Sequence, residues 1–158
     1  NMYETMYNAQ GVGLAAPQIG RGIRIFVIDA SPFAEEGSDE YELLTALKKT
    51  FINPIIIEES GEEWGMEEGC LSIPEVRETV FRKEKVVIEY YNENWELVEE
   101  TYTGLAARVI QHEYDHIEGV LFTEKIKPLR KRLIKGALGR IERGGITPGY
   151  PMKYPKAK

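Results

Sequence analysis

The sequence predicts an α+β fold: antiparallel β-sheets packed around a central helix that carries an H-E-x-x-H segment, with a further helix at the C-terminal end. Three observations lead there. Short β-branched and aromatic runs crowd the middle of the chain, and after residue 103 the apolar spacing changes from that of strands to that of a helix. Strands come first and helices after, without the alternation that builds a parallel sheet. A length of 158 residues suits one domain, 1–158, with no internal repeat and no dividing linker.

The elements follow in order. The chain opens at Asn1 inside a helical pattern, Met2, Tyr3, Met6 and Tyr7 at i, i+1, i+4, i+5, so the segment before it is expected to be incomplete. Residues 11–20, GVGLAAPQIG, are small and apolar with one outstanding polar side chain, Gln18. Residues 23–28 (IRIFVI) read as a buried strand, and 30–42 as an exposed acidic loop. The segment 40–49 is ambiguous between helix and loop. Residues 50–58 read as a second strand, in which Pro54 argues for an edge or a bulge. Three more strands are expected at 76–81, 85–91 and 96–103, with a turn at 92–94. In GLAARVIQHEYDHIEG, Leu105, Val109, His112 and His116 fall on one helical face, with Thr103 as candidate N-cap and Gly119 as the stop. A last amphipathic helix is expected over about 128–143, with Pro128 in its first turn and Gly144 and Gly145 at its end.

Composition excludes several functional classes. With one cysteine and two histidines, neither a disulfide framework nor a zinc module of four cysteines, or of two cysteines and two histidines, can form. A reducing, cytoplasmic setting is the natural expectation. No apolar run approaches the roughly 18 residues that span a bilayer. The formal charge of −6 hides an asymmetry: residues 1–124 carry nine Lys and Arg against twenty-five Asp and Glu, a balance of −16, whereas 125–158 carry eleven against one, a balance of +10. A basic helix can face a polyanion such as RNA, or can simply offset the acidic body.

His112-Glu113-Tyr114-Asp115-His116 carries the chemistry. Four residues apart on a helix, the imidazoles can converge on one metal ion while Glu113 stands beside them as a base. A catalytic site normally takes three protein ligands and leaves one position open. The longer H-E-x-x-H-x-x-G-x-x-H pattern holds as far as Gly119 but has Phe122 in its last place. Glu142 and Cys70 remain as third-ligand candidates. Cys70 lies in EEGCLSIPEVR (67–77), and its thiolate would suit zinc or ferrous iron and lower the charge of a divalent centre from +2 to +1. In 11–20 the glycines permit close backbone approach and the Gln18 amide can donate to an oxyanion. A dinucleotide fingerprint fits poorly, since the third glycine is misplaced and Pro17 interrupts the helix that should follow.

Together GVGLAAPQIG, EGCLSIP and QHEYDHIEG, in that order, resemble the three signature motifs of peptide deformylases, a likeness running from Gly11 to about Phe122. The resemblance implies an enzyme that removes the N-formyl group from formyl-methionine on nascent polypeptides and releases formate. It implies one divalent ion on Cys70, His112 and His116, ferrous iron physiologically, with zinc, nickel or cobalt in preparations. Glu113 would be general base and acid, with the Gln18 amide and the Leu71 backbone N–H as oxyanion donors. The peptide would pair with backbone near Gly13 and Leu71, its methionine bordered by Val12, Leu105, Arg108 and Val109, while Glu68 and Arg77 would brace the cysteine loop. The helix over 128–143 resembles one associated with docking at the ribosome near the nascent-chain exit; neither a membrane nor DNA is expected as partner. The loop 30–49 looks long, and the tail 144–158 receives no role. Two other readings stay open: a metallopeptidase using His112, His116 and Glu142, and a ribosome- or RNA-binding module with a structural metal.

Overall fold

The computed structural model describes residues 1–155. Its strands form one five-stranded sheet in the order β1-β2-β3-β4-β5: β1 (Gly13–Ala15), β2 (Ile25–Asp29), β3 (Lys48–Cys70), β4 (Ile73–Tyr91) and β5 (Leu97–Thr103). The pairings β1–β2, β2–β3 and β4–β5 are antiparallel, with Gly13 opposite Ile28, Phe26 opposite Phe51 and Val86 opposite Tyr102. The helices are α1 (Met2–Asn8), α2 (Tyr41–Ala46), α3 (Gly104–Ile117) and α4 (Pro128–Glu142). The expected α+β architecture, with an H-E-x-x-H helix and a C-terminal helix, is the one observed.

Strand lengths are the main departure. The strand expected over 50–58 runs from Lys48 to Cys70, because its second half is polar and exposed and lacks the alternation that announces a strand. Pro54 lies just past the stretch of β3 that pairs with β2, whose register ends at Ile52, and beside Asn53, which takes φ +48. The strands expected at 76–81 and 85–91 are one strand. Its buried positions include Glu78 and Arg82, whose charge interrupts an apolar pattern although both side chains are paired.

The described residues group into two compact units, one of residues 1–64 and 82–120, the other of 65–81 and the segment from Leu121 onward. In the first, α3 packs on β1, β2 and β5. Its core joins Phe26, Ile28, Leu44, Phe51, Val86 and Ile110, all fully buried. Phe26 stacks on Phe51 at 4.6 Å between ring centroids and Tyr90 lies 4.3 Å from Phe51, each contact worth about 0.5–1.5 kcal/mol beyond area burial. The second unit has its own core of Ile73, Val76, Val80, Phe122, Ile126, Ile134 and Ile141. There Glu78, almost wholly buried, accepts a bidentate pair of 2.8 Å bonds from Arg130 of α4, which holds its carboxyl below the usual carboxylate range.

The N-terminus of α3 departs from expectation as well. Thr103 occupies the N-cap position without a side-chain bond. The first turn is capped instead by Glu40, whose Oε1 accepts from Leu105 N–H at 2.9 Å. Gly104 takes φ +58 and lies so close to Glu40 that a Cβ there would come within 2.8 Å of its Cδ. The far end of α3 stops as expected at Gly119, φ +76, with Val120 N–H closing on the Asp115 carbonyl at 2.8 Å.

Candidate active site

In the first unit the site is built on α3 and the strands beneath it. Ala106, Ala107 and Ile110 turn into the core, and Gln111 ties the helix to β4 by donating to the Lys83 carbonyl at 2.9 Å. That fixes the face carrying His112 and His116. Their ring centroids lie 5.1 Å apart, the planes inclined at 72°, and each offers a ring nitrogen within 4.8 Å of one on the other. Burial, then the neighbouring His112 and Arg82, pushes the His116 pKa down to about 3. The ring is therefore neutral, the form that ligates a metal.

Glu113 is buried and lies directly over Gly13 of β1. A Cβ on Gly13 would fall 2.6 Å from Glu113 Cδ and 2.7 Å from Cγ. The first glycine-rich motif and the H-E-x-x-H helix thus meet closely at this point, where a side chain on residue 13 would displace the Glu113 carboxylate. Gln18 lies within a short 3-10 turn, Ala16–Ile19, and its Oε1 accepts from Ala15 N–H at 2.8 Å. With the oxygen engaged, the amide donates through Nε2.

The residues expected around a methionine pocket occupy this unit too. Val12 and Leu105 are half-buried, Val109 is buried, and Arg108 is buried through its full length. The Arg108 guanidinium lies 4.1 Å over the Trp64 ring and donates to the Trp64 carbonyl at 2.6 Å. Trp64 was not anticipated from sequence, since it stands in a glycine- and glutamate-rich stretch; the buried arginine explains it as a stacking partner. Arg82, also unanticipated, pairs with Asp115 at 2.8 Å, with side-chain exposures of 2% and 13%.

In the second unit Cys70 is the last residue of β3 and only Leu71 and Ser72 separate it from β4. Its Sγ accepts from Ser72 N–H at 3.4 Å. Of the two residues expected to brace this loop, Arg77 forms an exposed ion pair with Glu67 at 2.7 Å, and Glu68 is buried. Alternation along β3 puts Glu67 on the exposed face, where Arg77 also lies, and Glu68 on the buried one. Arg77 still reaches the cysteine segment, its Nη1 being 3.0 Å from where a Cβ on Gly69 would stand. Glu142, the ligand a metallopeptidase would need, is exposed at the end of α4.

Two imidazoles on one helix face, one held neutral, are of a kind that a divalent transition metal accepts, and the thiol of Cys70 is of the soft class that suits zinc and ferrous iron. Comparison with known proteins gives the family. The profile of the polypeptide deformylase family matches residues 1–132. The peptide deformylase of Christiangramia forsetii is 63% identical over 161 residues, covering all of this chain and 82% of that protein; that of Flavobacterium johnsoniae is 58% identical with the same coverage. Among solved structures, Plasmodium falciparum peptide deformylase in complex with an inhibitor superposes with a TM-score of 0.75 at 32% identity, covering 90% of this chain and 80% of that one. The Thermotoga maritima peptide deformylase gives 0.69 at 42% identity, over 80% and 77%.

Proposed function

The chain belongs to the peptide deformylase family of metal-dependent hydrolases that remove the N-formyl group from nascent polypeptides, and on that premise we propose which of its residues do so. Cys70, His112 and His116 hold the ion. His112 and His116 stand together on one face of α3, ring centroids 5.1 Å apart, and the cysteine of the second motif supplies the third donor by its resemblance to the family. A thiolate with two imidazoles accepts ferrous iron, the expected physiological metal, as well as zinc, nickel or cobalt. When bound, the ion supplies a Lewis acid that makes water nucleophilic at neutral pH and polarises the formyl oxygen.

Glu113 takes the proton of the attacking water and delivers it to the departing amine. Its burial against Gly13 is the observation that carries the reading: the carboxylate is confined beside the two imidazoles of its own helix. Gln18 Nε2 and Leu71 N–H donate to the oxygen on which negative charge develops. Backbone near Gly13 and Leu71 receives the extended peptide. Val12, Leu105 and Val109, with the Arg108 stem, form the walls for an unbranched thioether, the Trp64 stack holding the guanidinium in place. Glu68 of β3 and Arg77 of β4 support the cysteine segment from opposite faces of the sheet. The chain acts as one catalytic domain. Its α4 turns a basic surface, with Leu129 and Leu133 exposed, toward ribosomal RNA near the nascent-chain exit. A cytoplasmic setting follows from the substrate, a polypeptide still being synthesised; no helix among the described residues is long and apolar enough to cross a membrane.

The test is formate release from a formyl-Met peptide by anaerobically prepared protein. Glu113→Ala should abolish turnover with metal retained, whereas Cys70→Ser should lose the metal itself. Full metal content and activity in Cys70→Ser would overturn the ligand assignment.

A further inference from the structure

The stretch after α4 does structural work that its Pro- and Gly-rich composition does not advertise. Ile146 is buried and Met152 packs against the same core. The Tyr154 hydroxyl donates to the Ile146 carbonyl. This fold-back delivers Tyr150, half-buried, whose hydroxyl donates to the Leu71 carbonyl at 2.8 Å across 79 residues of sequence.

Leu71 and Ser72 are the two residues between β3 and β4. Two-residue connections suit the twist of paired strands when the first central residue takes φ > 0, and neither Leu71 nor Ser72 does. The turn therefore depends on bonds other than its own geometry, and two of these fall on one peptide unit. Its carbonyl, Leu71 O, accepts from Tyr150; its amide, Ser72 N–H, donates to Cys70 Sγ at 3.4 Å. A hydrogen bond at the oxygen of a peptide strengthens donation by its N–H.

We propose that Tyr150 is a positioning residue of the active site: by gripping the Leu71 carbonyl it fixes the peptide unit whose N–H faces the Cys70 sulfur, and with it the adjoining Leu71 N–H. The inference rests on the assignment of Cys70 as ligand and Leu71 as oxyanion donor. It extends the site to a part of the chain beyond residues 1–132, where the family profile ends.

Tyr150→Phe keeps the ring and removes the hydroxyl; Tyr150→Leu removes both. In each, kcat should fall about two- to tenfold, the range of one net hydrogen bond, with KM and metal content near wild type. In the cobalt-loaded Tyr150→Phe protein the thiolate-to-cobalt absorption should move to longer wavelength, since a less strongly hydrogen-bonded sulfur gives up charge more easily. In the metal-free ¹⁵N-labelled protein the Ser72 amide should exchange faster. If Tyr150→Phe matches wild type in kcat, absorption and Ser72 exchange while Tyr150→Leu alone is impaired, the ring only packs and the proposal is wrong. Cys70→Ser keeps the two failures apart: retention of metal there overturns the ligand assignment, whereas faster Ser72 exchange in metal-free Tyr150→Phe is read independently of it.

Discussion

Gly13→Ala tests the contact on which the catalytic assignment turns. Residue 13 lies on β1 without positive φ, so alanine suits its backbone, and the perturbation is one methyl group. That methyl would stand 2.6 Å from Glu113 Cδ and 2.7 Å from Cγ, against an ordinary carbon–carbon separation of about 3.5–4.0 Å; the carboxylate must retreat by about 1 Å. Because the obstructed group is the end of a side chain and not backbone, the fold yields there cheaply, within the roughly 1–3 kcal/mol of a modest overpacking. Catalysis does not yield cheaply, since a displacement of about 1 Å costs on the order of 100-fold. Formate release with a formyl-Met peptide should show kcat reduced by about that factor, while metal analysis gives the wild-type content and KM changes little. Turnover within about threefold of wild type would refute the placement of Glu113 as base, given the cost expected for such a displacement. Loss of metal would show that the methyl disturbs the ligands instead.

Gln18→Glu retains the oxygen that accepts from Ala15 N–H and removes the Nε2 donor. It should keep its melting temperature and metal and lose about 2.7–4 kcal/mol of transition-state stabilisation, read as kcat. Arg82→Leu removes the guanidinium buried against Asp115 and should destabilise the protein by about 3–5 kcal/mol in urea unfolding; a change below about 1 kcal/mol, as for a surface pair, would contradict its burial. Burial raises the pKa of Glu100, but bonds from Lys49, Tyr102 and Tyr90 outweigh it and hold the carboxyl below its ordinary value. The unfolded chain then binds the proton first as pH falls, so this stabilisation is present above the usual carboxylate range, about pH 4, and is lost in acid below it. Glu100→Gln should lower the melting temperature at pH 7 and flatten its decline between about pH 5 and 3; an unchanged slope would exclude Glu100 as a contributor.

What could be read from sequence divides along physical lines. α3 and α4 were legible because capping glycines and a helical apolar period act over a few residues. The three chemical motifs were legible because rare residue types fell at ligand spacing. In sequence β4 reads as two strands because Arg82, Lys83 and Glu84 interrupt the apolar pattern, and what neutralises the buried Arg82, Asp115, lies 33 residues away. Distance in sequence hid the cap of α3 in the same way: Thr103 had the right residue type and Glu40 the right position. Arg108 was anticipated and Trp64 was not, since a stacking partner leaves no periodic trace.

The bond from Glu40 to the first turn of α3 bears on how the loop before it can evolve. By composition residues 30–40 form a surface segment in which insertions and deletions cost little. Yet one carboxylate from that segment must return to Leu105 N–H, and residue 104 must have no side chain to let it in. Loop length can drift on either side of Glu40, but Glu40 and Gly104 can change only as a pair. A relative that places a larger residue at 104 should also have surrendered the carboxylate and found its helix cap elsewhere.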